Sequence, residues 1–141
     1  GTADTDAFTV SSYGAWNHIC FTSDGTTLTS YLNGSSVSTK NISASPTIST
    51  TNTAKLGKQQ LSNLYFYEGN MDEWAFWDSC LTASNVSTIY NSGTPNDISS
   101  LSPISWYRFE TGSGTTAVDS GSGGNNGTLV NGTAYSTSVP T

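Results

Sequence analysis

Three acidic residues, Glu68, Asp72 and Glu73, lie close together in the sequence, and paired carboxylates are the groups that cleave glycosidic bonds. A retaining mechanism needs one carboxyl group as nucleophile and a second as acid, about 5 Å apart. Successive side chains of a strand point to opposite faces of the sheet, so the adjacent Asp72 and Glu73 diverge. The sequence therefore predicts no catalytic carboxylate pair and no enzyme activity.

Asp72 would lie on the same face of its strand as Trp74 and Phe76, which we expect to face the core. A buried carboxylate must be hydrogen-bonded or bound to a metal ion. One interpretation is that Asp72 accepts backbone N–H groups of a neighbouring loop. The other is that Asp72 is a calcium ligand, since calcium prefers carboxylate and amide oxygens.

A second group of oxygen ligands occurs in the stretch DSGSGGNNG, which contains Asp119, Asn125 and Asn126. A flexible loop with such oxygens could hold calcium, although it has few acidic residues for a strong site. Turns closed by Asp and Asn side chains explain the same pattern. Calcium therefore stays open as a cofactor, with these three residues and Asp72 as the candidate ligands.

His18 and Cys20 are two positions apart in a predicted strand, which places both on one face. Such a pair could be a base and a nucleophile, but the parallel side chains favour a structural histidine. Cys80 is the second cysteine, and a metal site would need Cys or His at short spacing. The two thiols are expected to be buried and free, or to form a disulfide in an extracellular protein.

Composition indicates how these residues are positioned. Hydrophobic residues make up 34% of the 141 residues and charged residues 10%, while Ser and Thr total 46 and Asn 12. Polar residues rich in Thr, with aromatic residues at 11%, favour short strands joined by turns and hence an all-β domain. No apolar run is long enough for a membrane-spanning helix, so no membrane insertion is predicted.

Charge restricts the partners. The formal net charge is −6, from ten acidic and four basic residues. Binding to nucleic acid requires a basic stripe, and anionic membranes also attract basic segments. Neither a nucleic acid nor a membrane surface is therefore an expected partner.

The elements follow from turn signals and periodicity. Asp24-Gly25 and Asn33-Gly34 predict two hairpin turns, the second of type I′. The strands are predicted at 16–22, 28–32, within 37–53, at 54–57, 64–67, 71–77, 104–110 and within 128–141. One helix is predicted, since Thr82 can cap it and Val86, Ile89 and Tyr90 have helical spacing. Gly93 is the expected left-handed residue at its end.

Three segments carry a resemblance to a known family. The segments WNHICFTSDGTTLTSYLNG, KLGK and YFYEGNMDEWAFWDSCLTASNVSTIYNSG resemble, in order, the hairpin, a following strand and the ending of laminin-G-like domains. These domains belong to the concanavalin A-like lectin/glucanase superfamily. The resemblance covers about residues 13–93, and it implies an all-β fold: an antiparallel jelly-roll β-sandwich with one short helix.

The last segment, ISWYRFETGSGTTAVDSGSGGNNGTLVNG, resembles the opening of the same kind of domain. We therefore divide the chain into residues 1–93, the C-terminal part of one domain, a linker at 94–103, and opening strands at 104–141. Residues 104–141 are the start of a next repeat, part of a permuted domain, or strands that complete the sandwich of a neighbouring subunit. Tandem chains of this composition also resemble structural proteins of marine phages.

The resemblance also bears on chemistry. Related glucanases carry their carboxylates as E-x-D-x-x-E on one strand, whereas this chain has EGNMDE. Several relatives bind calcium through Asp and Asn oxygens, which supports the calcium alternative.

Aromatic residues are the remaining candidates for binding. Alternation places some of them away from the expected core, and aromatic faces stack on sugars or anchor protein interfaces. The candidate residues for glycan or interface contact are Tyr65, Tyr67, Trp77, Trp106 and Tyr107.

These observations predict a non-catalytic structural or adhesion module, located on a virion, on a cell surface or outside the cell. Its expected partners are other virion or surface protein subunits, in a homo-oligomeric assembly, with a host glycan as a second kind of partner. The alternative function is a calcium-dependent carbohydrate-binding lectin domain. An enzyme remnant is the third reading, and it lacks the carboxylate pair it would need.

Overall fold

The computed structural model describes residues 10, 13–42, 53–58 and 66–141. Within these residues, seven strands form antiparallel pairs, and they are accompanied by one α-helix. The strands are β1 (Ile19–Ser23), β2 (Thr27–Leu32), β3 (Ser35–Asn41), β4 (Trp74–Phe76), β5 (Ser105–Tyr107), β6 (Thr116–Ala117) and β7 (Gly127–Thr128), and the helix is α1 (Ala83–Tyr90). The predicted class, an all-β antiparallel fold with one short helix, is confirmed.

The sheets are small. One has the order β1-β2-β3, β4 pairs with β5, and β6 pairs with β7. An isolated antiparallel bridge joins Lys58 to Phe66, in the region where two short strands were predicted. A second bridge joins Tyr107 to Asp119 and so attaches the segment before β7 to the β4–β5 pair.

Both predicted hairpin turns are present. The Asp24 carboxylate accepts the backbone N–H groups of Thr26 at 2.8 Å and Thr27 at 2.7 Å, which closes the turn between β1 and β2. Asn33 and Gly34 have φ of 50° and 76°, the positive values that a type I′ turn requires. Of the predicted region 37–53, β3 accounts for the part up to Asn41, and 43–52 lie outside the described residues.

The helix begins as predicted and ends earlier. The Thr82 hydroxyl accepts the Asn85 N–H at 3.1 Å, and the Asn85 side-chain oxygen accepts the Thr82 N–H at 3.0 Å, which forms a capping box. The predicted stop at Gly93 is wrong by two residues, because Asn91 already has φ of 43°. Asparagine tolerates this left-handed conformation better than most residues and can end a helix in place of glycine.

The two faces of β4 are opposite to the prediction. Trp74 and Phe76, expected in the core, are 36% and 41% exposed. The inward face carries Ala75, whose cross-strand partner Trp106 is only 4% exposed. The alternation was correct, but the small Ala75 leaves room for the large indole of Trp106, so this face is buried.

The segment predicted as a linker is packed against the rest of the fold. Ile98 and Pro103 are buried, and the Trp77 indole N–H donates to the Leu101 carbonyl at 2.9 Å. Beyond this segment, β5 pairs with β4, so residues from both predicted parts share a sheet. The division of the chain and the three origins considered for 104–141 stay predictions.

The turn at Gly34 is tightly packed. A Cβ atom built there would lie 2.7 Å from a ring carbon of Tyr90, whereas at Gly132, with a similar φ of 81°, it would meet nothing within 4 Å. Both Gly34→Ala and Gly132→Ala carry the cost of a positive φ, and only Gly34→Ala adds the overlap. We expect urea unfolding to show Gly34→Ala less stable than Gly132→Ala by about 2 kcal/mol. Equal losses would contradict the contact between this turn and α1.

Candidate functional site

The centre of the β4–β5 sheet is the buried side chain of Trp106. Its backbone N–H donates to the Asp119 carboxylate at 2.7 Å, and its indole N–H donates to the Glu73 carboxylate at 2.6 Å. The Arg108 guanidinium lies 4.9 Å from the centre of the indole, within the range of a cation–π contact. One aromatic residue therefore joins two carboxylates that are far apart in sequence.

Glu73 lies just before β4, and its backbone is left-handed, with φ of 52°. One of its carboxylate oxygens accepts the Trp106 indole N–H on the buried face. Its second oxygen lies 3.8 Å from Arg108 Nε, and Arg108 also lies 3.7 Å from the Glu110 carboxylate. Asp72 accepts the backbone N–H of Glu73 at 3.0 Å. The two adjacent carboxylates thus have separate contacts, while Glu68 is exposed.

Burial raises the pKa of both Asp72 and Glu73, because it disfavours the charged carboxylate. For Asp72 the hydrogen bond from the Glu73 N–H opposes this effect, and for Glu73 the hydrogen bond from Trp106 opposes it. Repulsion from neighbouring acidic groups adds to the increase, and Arg108 reduces it. The ionised pair is therefore less favourable in the folded protein than in the unfolded chain.

The Asp119 carboxylate fastens the loop that follows it. One oxygen accepts the N–H groups of Trp106 and Gly121, the latter at 2.8 Å, and the other accepts the Asn125 N–H at 2.9 Å. The Asn126 side-chain oxygen accepts the Asp119 N–H at 2.9 Å. Burial by itself raises the pKa of Asp119, but these hydrogen bonds together lower it below its ordinary value.

The structure therefore brings together three of the four predicted calcium ligands, Asp119, Asn125 and Asn126, and Asp72 instead contacts Glu73. N–H donors approach both Asp119 oxygens. Among residues 10, 13–42, 53–58 and 66–141, no group of three or more His, Cys, Asp or Glu side chains could hold a metal ion. Calcium binding stays a prediction.

The outward face of the same sheet carries four aromatic rings, which we call the aromatic strip: Trp74, Phe76, Tyr107 and Phe109. The rings of Trp74 and Phe76 are 5.9 Å apart and those of Tyr107 and Phe109 are 6.3 Å apart, measured between centroids. Trp74 and Tyr107 are cross-strand partners, so the two pairs lie side by side. A shallow cavity of about 240 Å³ adjoins the strip, lined by Arg108, Phe109, Glu110, Thr111, Val118 and Ser120.

The predicted aromatic candidates divide into several groups. Trp106 is wrong as a surface contact, because it is buried and its indole N–H is bonded to Glu73. Trp77 is half-buried and Tyr67 is exposed, while Tyr65 lies outside the described residues. Tyr107 belongs to the aromatic strip, and its hydroxyl donates to the Asn125 carbonyl at 2.7 Å.

Three members of the strip, Trp74, Phe76 and Phe109, were missed as surface candidates. The period-two pattern correctly placed Trp74 and Phe76 on one face, but their size suggested the core. Phe109 has a left-handed backbone, with φ of 55°. Aromatic residues rarely adopt this conformation, so nothing in the sequence indicates it.

In the described part of the chain, no third side chain orients His18 and Cys20 as a reactive pair. The His18 ring lies 5.8 Å from the Tyr90 ring, and its Nδ1 is buried without a hydrogen-bond partner. Burial lowers the pKa of His18, because the charged imidazolium loses its hydration. These contacts are those of a packed, neutral side chain.

Comparison of the sequence with family models agrees with the antiparallel β fold. A laminin-G family model, described as "Concanavalin A-like lectin/glucanases superfamily", matches residues 2–87. The chain belongs to this superfamily, whose name includes both binding proteins and enzymes. A comparison with curated proteins found no match.

A solved structure is similar in fold. It is the crystal structure of residues 221–444 of an S-layer domain-containing protein from Clostridium thermocellum, with a TM-score of 0.51 and 24% sequence identity. The match covers 60% of this chain and 43% of that one, so the chain spans less than half of the similar structure. None of the helices described here is long and apolar enough to cross a membrane.

The buried Asp119 can be compared with the exposed Asp97, which accepts the Ser99 N–H at 2.9 Å in a similar local turn. Asp119→Asn places an amide donor against N–H donors and removes the charge. We expect it to lower the free energy of unfolding at pH 7 by about 2 kcal/mol, and Asp97→Asn to have a much smaller effect. Because folding lowers the pKa of Asp119, its contribution is complete above about pH 4 and is lost at lower pH. Denaturant titrations at several pH values measure both effects, and a loss that persists undiminished at low pH would contradict the assignment.

Glu73→Gln separates the charge of Glu73 from its role as acceptor, since glutamine can still accept the Trp106 indole N–H. Folding raises the pKa of Glu73, so the folded protein binds a proton more readily than the unfolded chain. The native protein should therefore gain stability relative to Glu73→Gln as the pH falls from neutral to about 4.3. Unfolding free energies of both proteins across this range test the sign, and parallel pH profiles would refute it.

Proposed function

We propose that this chain is a non-catalytic contact module of a surface assembly and that the aromatic strip is its contact surface. The observation that carries the proposal is the exposure of Trp74 and Phe76 beside Tyr107 and Phe109 on one sheet face. In a chain with only 34% hydrophobic residues, this concentration of apolar surface needs a covering partner.

The surroundings of the strip have the composition of a protein interface. Tyrosine, tryptophan and phenylalanine are enriched in the centres of interfaces, and polar residues surround them. Here Arg108 and Glu110 line the cavity beside Phe109, where the chain leaves β5. The proposed partners are other subunits of the same assembly, including further copies of this chain.

The proposed location is a cell surface, the extracellular space or a virion. The similarity to an S-layer domain-containing protein supports a surface location. The virion is supported by the Ser-, Thr- and Asn-rich composition that resembles phage structural proteins.

The absence of catalysis is part of the proposal, since the superfamily also contains glucanases. Its support is that Glu73 contacts Trp106 and Arg108 through its two oxygens, while Asp72 accepts the Glu73 N–H. A carboxylate engaged in this way is not positioned to attack a sugar or to protonate a leaving group.

Glycan binding is the second candidate, and the cavity beside Phe109 favours it. An aromatic face with Arg108 and Glu110 next to it provides both stacking and hydrogen bonds for a sugar ring. In this version of the function we expect binding without calcium, because N–H donors already engage the Asp119 carboxylate.

Replacement of a strip residue tests the contact surface. We expect Trp74→Ala to weaken concentration-dependent self-association, measured by sedimentation velocity, about tenfold or more, since aromatic residues dominate interface energies. Tyr13→Ala is the control, because Tyr13 is 90% exposed and lies outside the strip. A native protein that stays monomeric at high concentration, or equal effects of both variants, would contradict the assembly role.

A glycan array with and without a calcium chelator distinguishes the alternatives. Sugar binding that Trp74→Ala abolishes and the chelator leaves intact supports the glycan version. Binding lost with the chelator but retained by Trp74→Ala supports a calcium-dependent lectin and opposes the strip as the sugar site.

A further inference from the structure

Three asparagine residues of this chain are each followed by glycine, and this pair favours attack of the backbone on the asparagine side chain. The nitrogen of the following residue attacks the side-chain amide carbon, and glycine has no Cβ atom to hinder the approach. The three pairs are Asn33-Gly34, Asn126-Gly127 and Asn131-Gly132, and all lie within the described residues. The reaction requires the amide group and the adjoining backbone to rotate, so the contacts of each pair determine its reactivity in the folded protein.

The first pair is held on two sides. The Asn33 side-chain oxygen accepts the His18 N–H at 2.9 Å, and its amide nitrogen donates to the Asn17 side-chain oxygen at 3.3 Å. The Asn33 backbone N–H donates to the His18 carbonyl at 2.8 Å, and Gly34 packs against the Tyr90 ring. Rotation of this pair therefore breaks contacts with the residues before β1 and with α1.

The second pair belongs to the Asp119 loop and to β7. The Asn126 side-chain oxygen accepts the Asp119 N–H at 2.9 Å. Gly127 pairs with Ala117 between β6 and β7, and a Cβ atom built at Gly127 would lie 3.4 Å from that of Ala117. The amide and the attacking nitrogen are thus both held, and freeing them disrupts the loop that Asp119 fastens.

The third pair forms an exposed turn after β7. Asn131 and Gly132 have φ of 56° and 81°, the positive values of a type I′ turn, and the Thr133 N–H donates to the Val130 carbonyl at 3.2 Å. Both residues of the pair are exposed, and a Cβ atom at Gly132 would meet nothing within 4 Å. Among the described residues, the Asn131 amide has no hydrogen-bond partner. Opening this turn therefore breaks fewer contacts than opening the other two, and it costs less free energy.

We propose that Asn131 is a site of spontaneous deamidation, at which water converts the side-chain amide to a carboxyl group and part of the product is isoaspartate. Asn33 and Asn126 react more slowly in the folded protein, because their amides are held. The new carboxylate is ionised at neutral pH and adds a negative charge to a chain whose formal net charge is already −6. The proposal is independent of the contact function, since Asn131 is not part of the aromatic strip.

The reaction has two steps, and neither is an oxidation or a reduction. A base removes the proton of the Gly132 N–H, the nitrogen forms a bond to Asn131 Cγ, and the Cγ–Nδ2 bond breaks. Ammonia leaves with a proton, and a succinimide ring remains. Water then opens the ring: cleavage of the bond between Cγ and the nitrogen gives aspartate, and cleavage of the bond between the main-chain carbonyl carbon and the nitrogen gives isoaspartate. In total, one water is consumed and one ammonia is released.

The test incubates the folded native protein at mildly alkaline pH and follows the three Asn-Gly peptides of one sample by proteolysis and mass spectrometry. We expect the Asn131 peptide to gain the mass difference between an amide and a carboxyl group about tenfold faster, or more, than the Asn33 and Asn126 peptides. Enzymatic methylation of isoaspartate should label the same peptide. Circular dichroism shows that the protein is folded throughout the incubation.

The same chain in urea is the matched control, because unfolding frees all three pairs, and there the three rates should become similar. Gly132→Ala should slow the reaction at Asn131, since the added Cβ atom hinders the nitrogen, and should leave the other two sites unchanged. The proposal is overturned if Asn33 or Asn126 reacts as fast as Asn131 in the folded protein. It is also overturned if Asn131 stays intact there over a time in which it reacts in urea, or if Gly132→Ala reacts as fast as the native protein.

Discussion

The burial of Trp106 between two carboxylates is the constraint on which the second half of the structure depends. Its backbone bonds to Asp119 and its indole to Glu73, so one side chain connects the strand pair to the loop after β6 and to the segment before β4. Buried carboxylates are costly unless donors satisfy them, and here each carboxylate has such donors. The left-handed backbone of Glu73 is the local cost of this arrangement.

The outward aromatic strip follows from the inward orientation of Trp106. In a strand, the neighbours of an inward residue point outward, so Tyr107 faces away from the core. Its cross-strand partner Trp74 shares that face, and Phe76 follows two positions later. The exposed rings and the buried indole are therefore two consequences of one register, and a shift of one residue would exchange them.

Local features of the structure could be predicted from the sequence. The turn at Asn33-Gly34 and the cap at Thr82 depend on residues a few positions apart, and both were found as expected. The inward face of β4 could not be predicted, because alternation defines two faces without saying which one is covered. That choice depends on Trp106, which lies about thirty positions away in the chain and pairs with Ala75.

The role of Asp119 was ambiguous for a similar reason. Carboxylate oxygens can accept N–H groups or bind a cation, and the sequence shows the acceptor but not the donors. The Asn125 N–H comes from the same loop, but the Trp106 N–H comes from β5, and only the folded sheet brings β5 beside the loop. The helix end at Asn91 shows the same limit on a smaller scale, since both Asn91 and Gly93 could adopt the required conformation.

The surroundings of Trp106 also give the protein an internal optical probe. Indole emission moves to shorter wavelength when the ring is shielded from water, and a nearby carboxyl group alters its intensity. Trp106 is the buried one among the four tryptophans, while Trp16 and Trp77 are half-buried and Trp74 is exposed. A shift of the tryptophan emission to longer wavelength therefore accompanies the loss of the environment that β4, β5 and the Asp119 loop form around Trp106.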